Sequence, residues 1–433
     1  MGLGSIWRFP YLAGTSGGSA FVLVFVLAMG LIATPLLAAE FLIGRRARRS
    51  PPTAAGELAR ESSLSTRWNV IGLLGTAAAF LILSYYAVVA GWVMAYTWKC
   101  ASGALSGLSR GEVTGLWRRF LASPLEMGAW HLAFVALVAL VSARGLQRGI
   151  ELATRVRAPA LLGLLLVLDA WALATGELRR GLAFAFAPRF SALTPEVVLV
   201  AIGQAFYATG VGMAMMLAYG AYVPRGTSLV RSAAVISGSI LLVSLLSTVL
   251  VFPLVFQYGM NPAEGTELVF EVLPEAFAEM PAGRLVGSLF FLLLVFAALT
   301  PSIAALEPLV AYLQQRWGQG RARAALLSGT AAWVLGIASV LSFNRWADRR
   351  PLWFLPGFAG KSWFDSIDYA ASNLLLPVGA VLTSVFVGWR LQRAAVAEEL
   401  AETTPLARRA CVFLLRYLCP VAIVAVLIAK LLG

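Results

Sequence analysis

The chain is short of charge. Only 13% of its 433 residues are Asp, Glu, Lys or Arg, and 60% are hydrophobic. A soluble globular domain carries about 25% charged residues, so a fold with a fully solvated surface is excluded. Cysteine and histidine are scarce too: Cys100, Cys411, Cys419 and the single His131. They have no metal-ligand or disulfide spacing and read as helix-packing or loop-edge residues. No nucleophile–base pair, metal-ligand cluster or phosphate loop with its lysine is visible, which argues against an enzyme and against an organic cofactor. Residues 1–15 do not read as a cleavable signal peptide, because a basic start and a clean apolar core are lacking. Acidic residues number 21 against 34 basic ones, for a net charge of +13. The basic residues lie in short connections between apolar runs, so the partner they imply is a lipid bilayer and not nucleic acid.

Long apolar runs are what the chain has in abundance. Crossing about 30 Å of hydrocarbon takes roughly 20 residues. Runs of that kind lie near 16–41, 69–97, 127–144, 156–176, 195–222, 232–256, 285–314, 325–343, 366–389 and 410–432. The expectation is an all-α, polytopic membrane protein. Residues 1–13 would form an eleventh span but are too short to cross alone, so the chain is expected to start inside its first helix. Arginines mark every second connection: Arg45, Arg46, Arg48 and Arg49, then Arg144 and Arg148, then Arg225 and Arg231, then Arg321 and Arg323, then Arg390 and Arg393. Basic loops stay cytoplasmic. The opposite loops are mixed or acidic, as with Glu264, Glu267, Glu271, Glu275 and Glu279. Eleven spans then place the N-terminus in the cytoplasm and the C-terminus outside, in the inner (plasma) membrane.

Two places break the apolar pattern. The chain opens on Gly2-Leu3-Gly4-Ser5-Ile6-Trp7-Arg8-Phe9-Pro10-Tyr11, and Gly203, Gly210 and Gly212 interrupt the run around Tyr207-Ala208-Thr209. Glycine weakens a helix, and a charge in lipid is costly. Interrupted segments at corresponding places in two halves point to a solute site whose free N–H groups suit an anion and whose free C=O groups suit a cation. Kinks with tight packing through small residues are the other reading. Topology allows two inverted halves, 1–176 and 177–389, followed by an additional helix in 390–433.

These segments resemble the neurotransmitter:sodium symporter family. Gly2 to Tyr11 is similar to that family's first-helix signature. Gly17-Gly18-Ser19-Ala20-Phe21, Glu40-Phe41-Leu42-Ile43-Gly44-Arg45, Ser84-Tyr85-Tyr86, Gly203-Gln204-Ala205-Phe206-Tyr207 and Ala297-Ala298-Leu299-Thr300 follow in the family's order. The resemblance implies a leucine-transporter-like 5+5 inverted repeat with broken helices 1 and 6, an eleventh helix, and a symporter that imports an apolar or aromatic amino acid with sodium by alternating access. It implies that the Leu3 and Gly4 amides and the Tyr86 hydroxyl hold the substrate carboxylate, and that carbonyls near Tyr207 and Ala208 take its amino group. Ile82, Tyr86, Tyr207, Gly210, Met213 and Ala305 would line the side-chain pocket. Arg8 and Asp368 would form the outer gate, with Gln204 steadying Arg8 and Tyr207 as a lid. Glu40 would bond the broken backbone of the sixth span. On their residues alone, Arg8 could snorkel to the interface, and Asp368 and Glu40 could be loop-edge or interfacial carboxylates.

The departures bear on ion binding. At the family's first sodium site this chain has Ser5 for an asparagine, Ala208 for a hydroxyl residue and Ile240 for an asparagine or aspartate. Ser237, Ser239 or Thr209 could compensate only with shifted geometry. At the second site Thr300 keeps its hydroxyl, while Pro301 replaces a serine. Proline has no N–H for the carbonyl four residues back, that of Ala297, and so frees an oxygen the family uses for the ion; Met1 would offer another carbonyl. A simple helix kink is the other reading of Pro301. Gln315 stands where the family has an acidic partner for an upstream arginine. Sodium through the second site is the first expectation. Proton-coupled or uncoupled transport, or a non-transporting sensor, are the alternatives.

Overall fold

The computed structural model describes residues 2–257, 259, 268–279, 282–355 and 357–432. Among them every regular element is helical. Glu264, Glu267 and Met1 lie outside the described residues.

A π-helical turn at Gly4–Arg8 leads into α1 (Phe9–Thr15). Then follow α2 (Ser19–Ala47), α3 (Thr66–Ala101) and α4 (Pro124–Ala143), each long and apolar enough to cross a bilayer. The expected span near 156–176 is part of a Leu146–Thr175 helix, whose Pro159–Ala174 section turns through 118° into Leu178–Phe186. The apolar run at 195–222 divides into α5 (Pro195–Thr209) and α6 (Met215–Gly220). The remaining long helices are α7 (Leu229–Gln257), α8 (Gly283–Trp317), α9 (Arg321–Leu341), α10 (Trp363–Arg390) and α11 (Pro405–Ala429). Short helices at Pro51–Glu61 and Arg110–Ala122 lie in stretches that the apolar pattern had assigned to connections. They are polar on one side, so hydropathy alone hides them.

In lipid, helices gain little from burying apolar surface against one another, and close approach through small residues takes over. A Cβ at Gly44 on α2 would stand 2.1 Å from the Leu217 carbonyl oxygen of α6. A Cβ at Gly91 on α3 would meet the His131 backbone nitrogen of α4 at 2.8 Å, and one at Gly336 on α9 would meet the Ser84 carbonyl oxygen at 2.6 Å. Helices α3, α4, α8 and α9 therefore form one tightly packed scaffold. His131 is fully buried within it, and all three cysteines are buried.

Ion pairs tie the basic ends of the helices together. Glu307 of α8 holds Arg321 of α9 through two bonds, at 3.0 and 2.7 Å, while Arg321 Nε donates to the Ser142 carbonyl of α4 at 2.8 Å. Arg45 Nε meets Glu399 Oε2 at 2.6 Å with both side chains buried, and Arg45 Nη1 donates to the Thr227 carbonyl at 2.7 Å. Arg46 binds Glu61 and Glu398. It holds the exposed Glu398 carboxyl below the usual carboxylate range by hydrogen bonding and charge. Gln315 accepts the Ser50 N–H at 2.7 Å, so it fastens the loop after α2.

The glycine contacts yield a direct test. Gly44→Ala places a methyl against backbone that cannot swing away, and overpacking of this kind costs about 1–3 kcal/mol. Gly128, with no atom within 4 Å of its added Cβ, is the control. Thermal unfolding in detergent is expected to show a clear loss for Gly44→Ala and almost none for Gly128→Ala.

Candidate functional site

The two interrupted segments meet at one cavity. Helix α5 stops at Thr209 because Gly210 adopts φ 68°; Gly212 (φ 84°) and Ala214 (φ 55°) keep the chain unwound until α6 begins. A Cβ at Gly212 would lie 2.5 Å from the Leu376 carbonyl oxygen of α10, so both conformation and space demand glycine there. The Gly212 N–H has left the helix ladder and donates to Glu40 Oε1 at 2.7 Å. Glu40 reaches it from α2 with only 1% of its surface exposed.

The opening turn is held in the same manner. The Leu3 N–H donates to the Tyr86 hydroxyl at 3.1 Å, and Gln204 Nε2 donates to the Gly4 carbonyl at 2.7 Å. Gln204 was expected to steady Arg8. It instead satisfies the opening backbone, because its place on α5, before the break, faces Gly4. Added Cβ atoms at Gly2 and Gly4 would meet Pro301 Cγ and Tyr207 Cε1, each at 2.9 Å. Only glycine lets the opening turn approach α8 and the tyrosine ring this closely.

The cavity has a volume of about 250 Å³. Gly4, Ile82, Tyr86, Tyr207, Ala208, Gly210, Met213 and Ala305 line it, as do Ser5, Ile240, Thr300 and Pro301. Leu3 touches it through its bond to Tyr86. Ala297 is fully buried on the same helix as Thr300 and is not part of the lining. Leu3, Arg8, Glu40, Gln204 and Asp368 are likewise outside the lining, and Met1 lies outside the described residues.

Above the cavity, the Arg8 guanidinium lies over the Tyr207 ring, 4.1 Å from its centroid. Asp368 accepts from the Tyr85 hydroxyl at 2.6 Å and from Ser372 Oγ at 2.8 Å. Arg8 lies in the field of Asp368. Among the described residues, however, the two form no direct ion pair. Tyr85 and Tyr207 stand as the aromatic layer of this cluster.

The ion-ligand expectations separate on donor chemistry. Ser5 Oγ is fully buried and without a hydrogen-bond partner, but Ala208 and Ile240 bring no side-chain oxygen. The Thr209 hydroxyl, also in the cavity lining, donates to the Ala205 carbonyl at 2.7 Å. The exposed Ser239 hydroxyl likewise donates to Val235 at 2.7 Å. Ser237 Oγ is buried and unpartnered. Two of the three positions expected to bring side-chain oxygens to the first site therefore bring none. Thr300 lines the cavity, and Pro301 leaves the Ala297 carbonyl without its helical N–H.

Sequence reasoning missed one end of the cavity. Phe41, Met215, Met216, Tyr219 and Ile236 extend it toward the Arg45 end of α2. Met215 and Met216 were hidden inside an apolar run, and the left-handed turn at Ala214 is what redirects the chain just before them. No local pattern announced it.

The Glu40 contact can be tested in isolation. Glu40→Ala orphans a buried N–H, at a cost of about 1–3 kcal/mol, whereas Glu40→Gln keeps an acceptor. Hydrogen–deuterium exchange across residues 205–216 is expected to rise on the order of tenfold in Glu40→Ala. Glu40→Gln should stay near wild type. Unchanged exchange in Glu40→Ala would show that this carboxylate does not hold the break.

The family model for the sodium:neurotransmitter symporter family matches residues 1–110 and 123–432. A protein of Bacillus subtilis (strain 168) named as an uncharacterized sodium-dependent transporter, YhdH, is 37% identical over 429 residues, covering 98% of this chain and 93% of that protein. A protein of Haemophilus influenzae, also named as an uncharacterized sodium-dependent transporter, is 32% identical over 411 residues, covering 93% of this chain and 88% of that protein. The crystal structure of MhsT in complex with L-phenylalanine superposes with a TM-score of 0.90 at 36% identity, covering 99% of this chain and 96% of that one. With its helices interrupted at the site and this likeness along almost its whole length, the chain belongs to the sodium:neurotransmitter symporter family and has the all-helical fold of that group of multi-pass membrane proteins.

Proposed function

We propose that this protein is a sodium-coupled symporter that imports an apolar or aromatic amino acid by alternating access. The cavity carries the reading. Broken backbone and the Tyr86 hydroxyl stand together on its wall, beside apolar side chains that include Ile82, Met213 and Ala305. An amino acid has a carboxylate and an ammonium on one carbon and needs opposite partial charges close together. The Gly4 amide and the Tyr86 hydroxyl supply donors for the carboxylate, while the Leu3 amide, expected to join them, is taken by Tyr86 Oη. Because the Leu3 N–H donates to Tyr86 Oη, the tyrosine proton is left to point at an anion. The last carbonyls of α5, near Tyr207 and Ala208, supply the negative end for the ammonium. Ile82, Met213 and Ala305 meet the side chain, and methionine adapts its shape to several apolar groups. MhsT was crystallised with L-phenylalanine, which supports an aromatic substrate here.

Arg8, Tyr207 and Asp368 form the outer gate in this reading, with Tyr85 bridging to the carboxylate. Sodium at the second site would draw on Thr300, Ala297 and Met1 and would neutralise charge beside the substrate. The first site contributes at most through Ser5. The two breaks fall in inverted halves, 1–176 and 177–389, with 390–433 as an added helix. The N-terminus faces the cytoplasm and the C-terminus the outside of the plasma membrane.

Uptake of labelled L-phenylalanine into proteoliposomes decides the matter. An inward sodium gradient is expected to drive accumulation, and equal uptake with and without it would leave proton-coupled or uncoupled transport instead. Tyr86→Phe is expected to weaken substrate binding about 10- to 100-fold, the scale of one hydrogen bond to a charged group. Thr300→Ala is expected to abolish the sodium dependence, and Ser5→Ala to leave most of it.

A further inference from the structure

A second cavity, of about 390 Å³, lies far from the first in sequence, between the end of α10, the short Arg393–Glu399 helix and α11. Arg393, Arg408, Arg409 and Arg416 all contribute to its wall, and no acidic residue does. Among the described residues, none of these four forms an ion pair. The acidic neighbours on the Arg393–Glu399 helix are already committed, Glu399 to Arg45 and Glu398 to Arg46. Arg416 is fixed in place, with its Nε donating to the Gly388 carbonyl at 2.5 Å. The floor between the arginines is apolar, with Val387, Leu391 and Val412. Four guanidinium groups over an apolar floor repel one another and gain from an anion set among them.

The surroundings say what kind of anion. A stripe of exposed apolar side chains leaves the cavity along α11: Phe413, Tyr417, Val421, Val424 and Ile428, spaced three or four residues apart on one helix face. Phe413 and Tyr417 belong to both the cavity wall and the stripe. Beside them the half-exposed Trp389 donates its indole N–H to the Arg416 carbonyl at 2.9 Å and packs edge-on against Tyr417. Such aromatics mark the level of the lipid headgroups. A ligand that fits both parts has a phosphate at one end and a hydrocarbon chain at the other. The wall offers no carboxylate for a choline or ethanolamine ammonium, so the headgroup has net negative charge.

We propose that this cavity binds the headgroup phosphate of an anionic glycerophospholipid, with one acyl chain laid along the exposed face of α11. Basic pockets between membrane helices hold lipid phosphates by this combination of charge and depth. The site is independent of the transport cavity and does not rest on the proposed substrate.

Native mass spectrometry of the full chain, purified in detergent and stripped of lipid, tests it. Phosphatidylglycerol is the probe, with phosphatidylcholine and inorganic phosphate as the other arms. Wild type is expected to retain phosphatidylglycerol over phosphatidylcholine, and millimolar inorganic phosphate is expected not to displace it. Arg408→Gln with Arg409→Gln should weaken phosphatidylglycerol binding on the order of thirtyfold, the effect of two surface charges. Arg408→Lys with Arg409→Lys should stay within a few fold of wild type. Arg316→Gln with Arg323→Gln, two exposed arginines outside the cavity, should not change it. Equal retention by the Arg408→Gln/Arg409→Gln variant and wild type overturns the site. Equal retention of phosphatidylcholine, or displacement by inorganic phosphate, overturns its assignment to an anionic lipid.

Discussion

A helix broken inside a bilayer exposes peptide groups where no water can satisfy them, and each such group left bare costs several kcal/mol. The centre of this protein is arranged around that constraint. Glu40 on α2 takes the free Gly212 N–H, Gln204 on α5 gives its amide to the Gly4 carbonyl, and Tyr86 on α3 takes the Leu3 N–H. Each of these side chains comes from a helix distant in sequence from the backbone it serves. The breaks are therefore also the points at which the helices are fastened to one another, and the cavity is what remains between them.

The same arrangement explains why small residues crowd the site. The unwound segment can be served by Glu40 only if α2 and α6 approach to backbone contact, which Gly44 and Gly220 permit. It can pass α10 only because Gly212 has no side chain. Around this close-packed centre, apolar and aromatic side chains fill much of the volume, and two clusters of charged groups stand out. One is the Arg8, Tyr207, Tyr85 and Asp368 cluster, and the other is the ring of ion pairs built on Arg45, Arg46, Glu307 and Arg321.

Much of this was legible in the chain. The long apolar runs became helices because a bilayer forces nearly every peptide group into an internal hydrogen bond. The glycines of both breaks were visible, since φ values above zero and backbone contact require that residue. Other features were not legible. Gln204 was expected beside Arg8, yet which polar atom it meets depends on the relative rotation of α5 and the opening turn. The Pro51–Glu61 and Arg110–Ala122 helices were hidden by their polar sides, and the 118° bend at Leu178 has no strong local signal. Met215, Met216 and Tyr219 joined the cavity only through a left-handed turn at Ala214, a residue that seldom adopts one.

By itself, the sequence determined the medium, the class of fold and the two places where the helices must break. Hydrophobic length and glycine placement are local properties that the bilayer reads directly. It also determined that Ala208 and Ile240 bring no side-chain oxygen to the cavity, since alanine and isoleucine carry none at any orientation. The tertiary structure decided what satisfies the broken backbone, how far the cavity extends past Met216, and that Arg8 meets a tyrosine ring while Asp368 binds two hydroxyls. It also gathered four arginines from separate helices around one apolar floor. Those outcomes depend on the distances and rotations between helices far apart in the chain, and packing fixes these only once the whole bundle has assembled.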